Sequence, residues 1–511
     1  VSSYTSNSRR SKQRRKGRRK RGDFNNILHI DTVKPLPIQT NVSPDPFWVT
    51  YSKNKPKIRS ILEEYEIRGA DTDALYHHMR KYDHDNIMVY DEYIMEETLK
   101  YVGDTLAPDA LLAPIELSEV DYTSNTSPGW YYRQRGYRSK DDSYEEALDD
   151  ARVAMDKIHK GQRIRSRPFV AGGRARLVSS AASAKKGRMI QAQDFRDFLI
   201  TASYAQPMTE HLLSVPEISV GYSHFNLGYD KMFREMQENV WATDYSSYDA
   251  GQRNTLLGFA LRILFSCFKR DPNHTNLEQF VIDSVQVRDV IMPDGRMFAV
   301  FTGLPSGHSM TSILNSITNF IIIQYTFRKL LFDSGLPTVE AEFIKTRVLG
   351  DDALISGELD FDFAQYSQIV HSTFGISVSP LSEKSKIYLE GEDYSLYPTY
   401  LGKKPTKVGR YYMPTRDAEE TVAIAVWPEQ LVEMPGQSYE IAIGLLIDNY
   451  YNIEARTEIL DYLSWLCDNY NFNIPETSKF TRTFVFGDFT GSMKLLHPSE
   501  TTCQKIELLY L

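Results

Sequence analysis

Lys345-Thr346-Arg347-Val348-Leu349-Gly350-Asp351-Asp352-Ala353-Leu354-Ile355-Ser356 reads as strand, turn, strand, with the turn at Gly350-Asp351-Asp352. A lone Gly-Asp-Asp is ordinarily a hydrated surface turn, because both residue types favour turns. Here Val348 and Leu349 lead in and Ala353, Leu354 and Ile355 lead out, so the turn emerges from strands apolar enough to be buried. Upstream, residues 239–243 form a short apolar run that ends at Asp244, and Asp249 follows just past it. Asp249 need not point the same way as Asp244, and it also suits a helix N-cap. If the two strands neighbour each other in one antiparallel sheet, Asp244 and Asp351 meet.

Carboxylates brought together from distant parts of a chain repel unless a hard dication neutralises them. A Mg²⁺ octahedron is built from such oxygens together with substrate phosphates. The cluster therefore suits phosphoryl transfer, with Asp352 assisting one ion or sitting just outside its ligand sphere. Between the acidic segments lies Ser306-Gly307-His308-Ser309-Met310-Thr311-Ser312-Ile313-Leu314-Asn315. Ser306-Gly307 permits close backbone approach, and Thr311 and Asn315, four apart, share one face of the following helix. Their hydroxyl and amide can bond a ribose 2′-hydroxyl, the group that separates RNA from DNA. Read alone, the segment is also an ordinary Ser/Thr/Asn helix start.

A basic stretch precedes both: Arg163, Arg165 and Arg167, then Arg174 and Arg176, then Lys185, Lys186 and Arg188. Guanidinium forks bind phosphate oxygens bidentately, which suits a triphosphate, although charge runs are more often solvated faces. The chain of 511 residues exceeds what one core usually organises, so several lobes are expected. Its net charge of −8 conceals an asymmetry. Residues 1–22 carry ten Lys or Arg and no acid, leaving −18 for the rest (−8 less those ten). That tail lacks apolar periodicity and is expected to order only on a polyanion or an acidic surface. No apolar stretch follows its charges, so a secretory signal is not expected. Residues 313–332 are interrupted by Asn315, Asn319, Gln324, Arg328 and Lys329 and read as a buried helix, not a membrane span. Cys267, Cys467 and Cys503 are too scattered for a disulfide framework or a zinc site.

Elsewhere, residues 23–51 are proline-punctuated and read as an extended strap, and residues 58–103 and 143–160 read as helical. Residues 254–268 read as a helix and 285–300 as a hairpin around Pro293-Asp294-Gly295. From Pro405 to about Tyr470 the pattern is mainly helical.

With these residues assembled, the chain resembles a viral RNA-dependent RNA polymerase, most like those of the partitivirus and picobirnavirus group of small bisegmented double-stranded RNA viruses. The order of basic fingertip loop, D-x4-D, S-G-x3-T-x3-N and G-D-D is matched throughout, over roughly residues 126–403. The resemblance implies an α+β right hand: an antiparallel-sheet palm, fingers closed over it and a helical thumb. Residues 1–22 would be a basic tail, 23–120 a strap and helices bridging fingers and thumb, and 121–235 the fingers. Residues 236–252 would be palm, 253–299 a fingers insertion, 300–404 palm again and 405–511 the thumb and C-terminal segment.

By position, Asp244, Asp351 and Asp352 resemble ligands of two Mg²⁺ or Mn²⁺ ions. Asp249, Ser306, Thr311 and Asn315 resemble the nucleotide-sensing set, and Arg174 and Arg176 the triphosphate-holding residues. Ser127, Gly129, Arg188 and Gly307 resemble RNA contacts, the first two in Thr126-Ser127-Pro128-Gly129-Trp130. Lys384, with Lys386 as competitor, resembles the lysine that protonates pyrophosphate. Tyr400-Leu401-Gly402-Lys403 resembles a primer grip, and Tyr510 or the aromatic-rich 394–412 region a priming platform. The implied partners are template and nascent RNA, ribonucleoside triphosphates and a viral capsid protein, with no membrane. The implied locations are virion interior and host cytoplasm. The competing readings are a non-catalytic RNA-packaging protein, favoured by the tail, and a reverse transcriptase. The latter usually carries an aromatic residue two before the paired aspartates, where this chain has Leu349.

Overall fold

A computed structural model describes residues 21–36, 42–181, 187–358, 361–379, 387–388, 391–472 and 500–511. The fold is mixed helix and sheet. Its centre is a four-stranded antiparallel sheet in the order Lys345–Leu349, Asp352–Ser356, Val240–Thr243, Ile387–Tyr388. Strands 240–243 and 352–356 are almost wholly buried, consistent with their uninterrupted apolar character. Behind the sheet runs the long helix Thr311–Asp333, buried along nearly all of its length. The helices Glu92–Leu106, Asn254–Ser266 and Phe363–Phe374 pack around it. This burial is why residues 313–332 are mostly apolar, and why the polar residues among them are largely buried as well. Among the described residues no helix is long and apolar enough to cross a membrane.

A second, five-stranded sheet has the order Leu28–Thr32, Arg296–Val300, Arg288–Ile291, Phe169–Arg174, Arg188–Ala192. Its hairpin 288–300 turns at Gly295, whose φ of 88° accounts for the glycine in Pro293-Asp294-Gly295. A third core is helical, formed by Ala418–Val426, Pro435–Asp448 and Ile453–Asn469. The N-terminal segment joins it: Trp48 stacks on Tyr462 with ring centroids 3.6 Å apart.

Three expectations need correction. Residues 46–52 are a helix, not extended strap, because Pro46 occupies the first turn, where a missing N–H costs nothing, and Asp45 caps it by accepting from Phe47 and Trp48. Residues 58–103 are not uniformly helical. Tyr65–Arg68 is a strand paired with Arg176–Ser179, so a distant partner overrides the local apolar pattern. The region from Pro405, expected to be mainly helical, instead opens with the hairpin Lys404–Val408 and Tyr411–Thr415, with Gly409 at φ 60° between them.

Candidate active site

The hairpin register fixes the acidic centre. Leu349 pairs with Asp352, which leaves Gly350-Asp351 as a two-residue loop and makes Asp352 a strand residue rather than part of the turn. Gly350 has φ 61° at the first loop position, the requirement of a type II′ hairpin turn. Next door Thr243 pairs with Ala353, so one step beyond the last paired residues Asp244 faces Asp352. Both line a cavity of 390 Å³ whose opposite wall is Thr399, Tyr400, Leu401, Gly402 and Lys404. Asp351 holds the second position of that loop. Its charge, together with that of Asp244, adds to the burial that raises the Tyr245 phenol, and it acts likewise on Tyr248 and Asp249.

The turn is clamped by the long helix behind it. Ser316 Oγ accepts from the Gly350 N–H at 2.9 Å, and Asn319 Nδ2 donates to the Gly350 carbonyl at 3.0 Å. Asn319 Oδ1 accepts from the Tyr245 hydroxyl at 3.0 Å, so one amide ties the turn to the strand that follows Asp244. The sequence reading used Asn319 only as an interruption of an apolar run and passed over Ser316. Their signal was there: polar residues at the helical spacing from Ser312 and Asn315 on an otherwise apolar helix.

The nucleotide-sensing set is partly assembled. Asn315 Nδ2 donates to Asp249 Oδ1 at 2.7 Å, and Gln252 Nε2 holds Asn315 Oδ1 at 3.2 Å and Thr318 Oγ1 at 2.9 Å. Burial first, then the charge of Asp351, pushes the Asp249 carboxyl up to about 6, with Asn315 and Arg188 opposing. Thr311 does not join this pair. Its hydroxyl donates to the Pro305 carbonyl at 2.6 Å, pinning the loop that enters the helix. Ser306 Oγ donates to the Met189 carbonyl at 3.1 Å, and a Cβ on Gly307 would stand 2.2 Å from the Gln191 carbonyl. The close approach read into Ser306-Gly307 is therefore to the strand Arg188–Ala192. Arg288, absent from the sequence reading, is 1% exposed and organises this loop. It donates to Gln191 Oε1 at 2.7 Å and to the carbonyls of Thr302 and Gly303 at 3.1 and 3.2 Å.

The basic stretch divides in two, which corrects its reading as one phosphate-binding run. Arg163 lies 3.8 Å from Asp283, Arg165 2.8 Å from Asp289, and Arg167 3.2 and 3.5 Å from Asp150 and Asp194. Arg165 and Arg167 donate to distant carboxylates, while Arg163 stays exposed beside Asp283. Burial, and then the neighbouring Asp197, raises Asp194 to about 7 in spite of Arg167 and Arg196.

Arg174, Arg176 and Arg188 instead line a cavity of 600 Å³ together with Arg416, Trp427 and Glu429. The sheet register sets Arg174 directly opposite Arg188, and Arg176 opposite Arg68. Like charges so placed repel and favour an anion between them. Arg174 reaches Glu429 at 3.1 Å. Arg176 feels burial and Arg188, which make its charge less favourable, and Asp244, which restores it, so the cavity lies within electrostatic reach of the acidic centre.

Ser127 accepts weakly from the Gly129 N–H at 3.4 Å. Gly129 has φ 97°, and a Cβ there would meet the Asp194 Cα at 2.9 Å, so glycine is required for packing against the Phe195–Leu212 helix. Lys403 is buried against Asp448, and Tyr510 is wholly buried, its hydroxyl aimed at the Ile447 carbonyl. A priming platform at Tyr510 is thereby ruled out in this conformation, because the ring is core. Lys384, Lys386, Lys185, Lys186 and residues 1–20 lie outside the described residues.

Among the described residues no three His, Cys, Asp or Glu side chains stand close enough to hold a metal unaided. The facing pair Asp244 and Asp352, with Asp351 adjacent, still suits a hard dication that keeps waters and takes its remaining ligands from substrate phosphates.

Residues 59–466 match the family model described as viral RNA-dependent RNA polymerase. The chain is 23% identical over 381 residues to the genome polyprotein of Human enterovirus 70 (strain J670/71), covering 72% of the chain and 16% of the polyprotein. It is 25% identical over 288 residues to the genome polyprotein of Ljunganvirus 1, covering 53% and 12%. With the genome polyprotein of Human parechovirus 5 (strain CT86-6760) it shares 24% over 373 residues, covering 69% and 16%. The chain thus spans between 12% and 16% of the length of these curated relatives.

Proposed function

Because the chain belongs to the viral RNA-dependent RNA polymerase family, we propose that it is an RNA-directed RNA polymerase that copies a viral genome by nucleotidyl transfer. The observation that carries the reading is the sheet register that sets Asp244 against the Gly350-Asp351-Asp352 turn, beside the Asp249–Asn315 pair. The four-stranded sheet serves as palm, the five-stranded sheet as fingers and the helices from residue 418 as thumb.

In this reading the triphosphate lies in the 600 Å³ cavity, neutralised by Arg174, Arg176 and Arg188. Asp249 and Asn315 meet the ribose, the carboxylate accepting from a 2′-hydroxyl that a deoxyribose lacks. The growing strand ends in the 390 Å³ cavity between Asp244, Asp352 and the Tyr400–Gly402 turn. Its 3′-oxygen attacks the α-phosphorus, the bond to the bridging oxygen breaks with its electron pair leaving on pyrophosphate, and the hydroxyl proton passes to solvent water. Two divalent ions, held by Asp244, Asp351 and Asp352, would lower the pKa of the attacking hydroxyl and neutralise the leaving group. Ser316 and Asn319 keep the turn still while this charge develops.

Leu349 ahead of the turn, together with the ribose-facing pair, favours ribonucleotides over the reverse-transcriptase reading. The resemblance read from the sequence extends the proposal to a double-stranded RNA virus of the partitivirus or picobirnavirus kind, with synthesis started without a primer and a capsid protein as partner in the virion interior and host cytoplasm, whereas the relatives reported above are enterovirus, Ljunganvirus and parechovirus genome polyproteins. The test is nucleotide incorporation on an RNA template by the unaltered chain and by Asp351→Asn. Loss of metal-mediated charge stabilisation worth several kcal/mol predicts a drop of about 10³-fold. Equal incorporation would remove the catalytic role of the turn and leave an RNA-packaging function.

A further inference from the structure

Tyr400 and Leu401 wall the catalytic cavity on one side, and on their other side lies a second cavity of 140 Å³. It is closed by the loop carrying Tyr222 and His224, by the helix Gly228–Glu235, and by Arg416 and Asp448 at the end of the helix Pro435–Asp448. Of its polar lining, Tyr400 and Arg416 also border the cavities used above, and Tyr222, His224, Lys403 and Asp448 have no role in that chemistry. Lys403 Nζ donates to both the carboxylate and the main-chain carbonyl of Asp448, each at 2.6 Å. That single contact neutralises the one carboxylate of the lining and the negative end of its helix.

Three polar atoms remain: Tyr222 Oη, His224 Nε2 and Arg416 Nε, all buried and without a hydrogen-bond partner among the described residues. Buried polar atoms are nearly always paired, so three orphans around one small cavity call for an occupant. Arg416 Nε can only donate, the tyrosine hydroxyl can donate, and the histidine nitrogen donates in one tautomer. Arg416 stands 4.0 Å from Asp448 Oδ2 and His224 3.9 Å from Oδ1, too far for either to be satisfied by that carboxylate. With Asp448 already held by Lys403, the charge of Arg416 is in excess. The same excess acts on His224, whose charged form is disfavoured down to about 4 by burial and by Lys403, with Arg416 adding and Asp448 opposing.

Converging donors with a net positive charge fit a ligand that only accepts. We propose that this cavity binds one phosphate-sized oxyanion through Arg416 Nε, Tyr222 Oη and His224 Nε2, while Lys403 keeps Asp448 from repelling it. The volume is sufficient: at about 30 Å³ per water it has room for nearly five waters, enough for a tetrahedral anion with water beside it. Arg416 also lines the nucleotide cavity, so the two anion sites share one guanidinium.

Calorimetric titration of the full chain with inorganic phosphate, at fixed ionic strength against chloride, tests the site without relying on catalysis. Tyr222→Phe deletes one oxygen and keeps the ring, His224→Gln alters a second contact, and Arg188→Ser disarms only the nucleotide cavity. The expected result is saturable binding that weakens about tenfold in each of the first two variants, as for one hydrogen bond to a charged group, and is unchanged in the third. Should His224→Gln fail to fold, Tyr222→Phe decides alone. No saturable heat, or undiminished affinity in Tyr222→Phe, means that the cavity holds water only and overturns the proposal. Weakening confined to Arg188→Ser assigns the phosphate to the nucleotide cavity and overturns it equally.

Discussion

Arg167 and Arg176 stand in the same basic stretch, yet they end in opposite circumstances. Arg167 is held between Asp150 and Asp194 and lies 3.6 Å over the Tyr131 ring, a cation used up inside the protein. Arg176 faces Arg68 across a strand pair and lines a cavity that also holds Arg174, Arg188 and Arg416, with Asp417, Glu420 and Glu429 on its rim. Charge alone does not distinguish them, although Arg176 stands in the glycine-led stretch that resembles a triphosphate-holding motif. What separates them is whether the fold brings a carboxylate or a second guanidinium to their side. A run of basic residues therefore states how much positive charge is present and leaves open how much is available to a ligand.

The comparison can be broken most severely at Arg167. Replacing it by methionine leaves Asp194 buried without its cation, and losing one partner of a buried ion pair costs about 3–5 kcal/mol. Denaturant unfolding of Arg167→Met should show that loss. A change within about 0.5 kcal/mol, the usual range for surface substitutions, would put Arg167 in the same class as Arg176.

Arg176→Gln should behave inversely. Its unfolding midpoint is expected to stay near that of the unaltered chain, while the KM for ribonucleoside triphosphates rises about 10- to 100-fold, the worth of one or two charge-assisted hydrogen bonds. Steady-state incorporation kinetics read this directly, and a stability loss with unchanged KM would erase the distinction.

The smallest effect sharpens the comparison at an acid. The Asp249 carboxyl sits at about 6 when folded, against an unfolded value of about 3.9. Between those values the folded chain keeps a proton that the unfolded chain has lost, so this group's contribution to stability falls as pH rises through the window. That sign is opposite to the one for a carboxylate held in an ion pair. Unfolding midpoints of the unaltered chain and Asp249→Asn, compared from about pH 4 to pH 7, should converge toward the acid end, and parallel curves would refute the assignment. Preference for ribonucleotides should strengthen above about pH 6, as Asp249 becomes the acceptor.

Legibility followed the range of the interactions. The hairpin at 345–356 was readable almost to the residue, because a two-residue loop with glycine first is fixed by local torsion and its flanks by burial on both faces. Only Asp352 shifted, from turn to strand. The strand Tyr65–Arg68 was unreadable because its partner, Arg176–Ser179, lies far along the chain and shares no local signal with it. The same holds for Arg288. A lone arginine next to Asp289 gives no sign that its guanidinium will be buried among the carbonyls of Thr302 and Gly303. Thr311 and Asn315 share a helix face as their spacing predicts, but the Pro305 carbonyl draws the threonine hydroxyl away from the Asp249 pair.

By itself the amino-acid order determined the turn, the acidic residues that meet there, the buried helix behind them and the family to which the chain belongs. These depend on backbone torsion, burial and residue type, all of which act between near neighbours. Only the tertiary structure decided which arginines face a cavity, which residues clamp Gly350, and that Asp351 ends in the loop while Asp352 pairs in the strand. Those outcomes are set by charges and carbonyls arriving from remote segments, and electrostatic pairing depends on distance in space, which sequence separation does not encode.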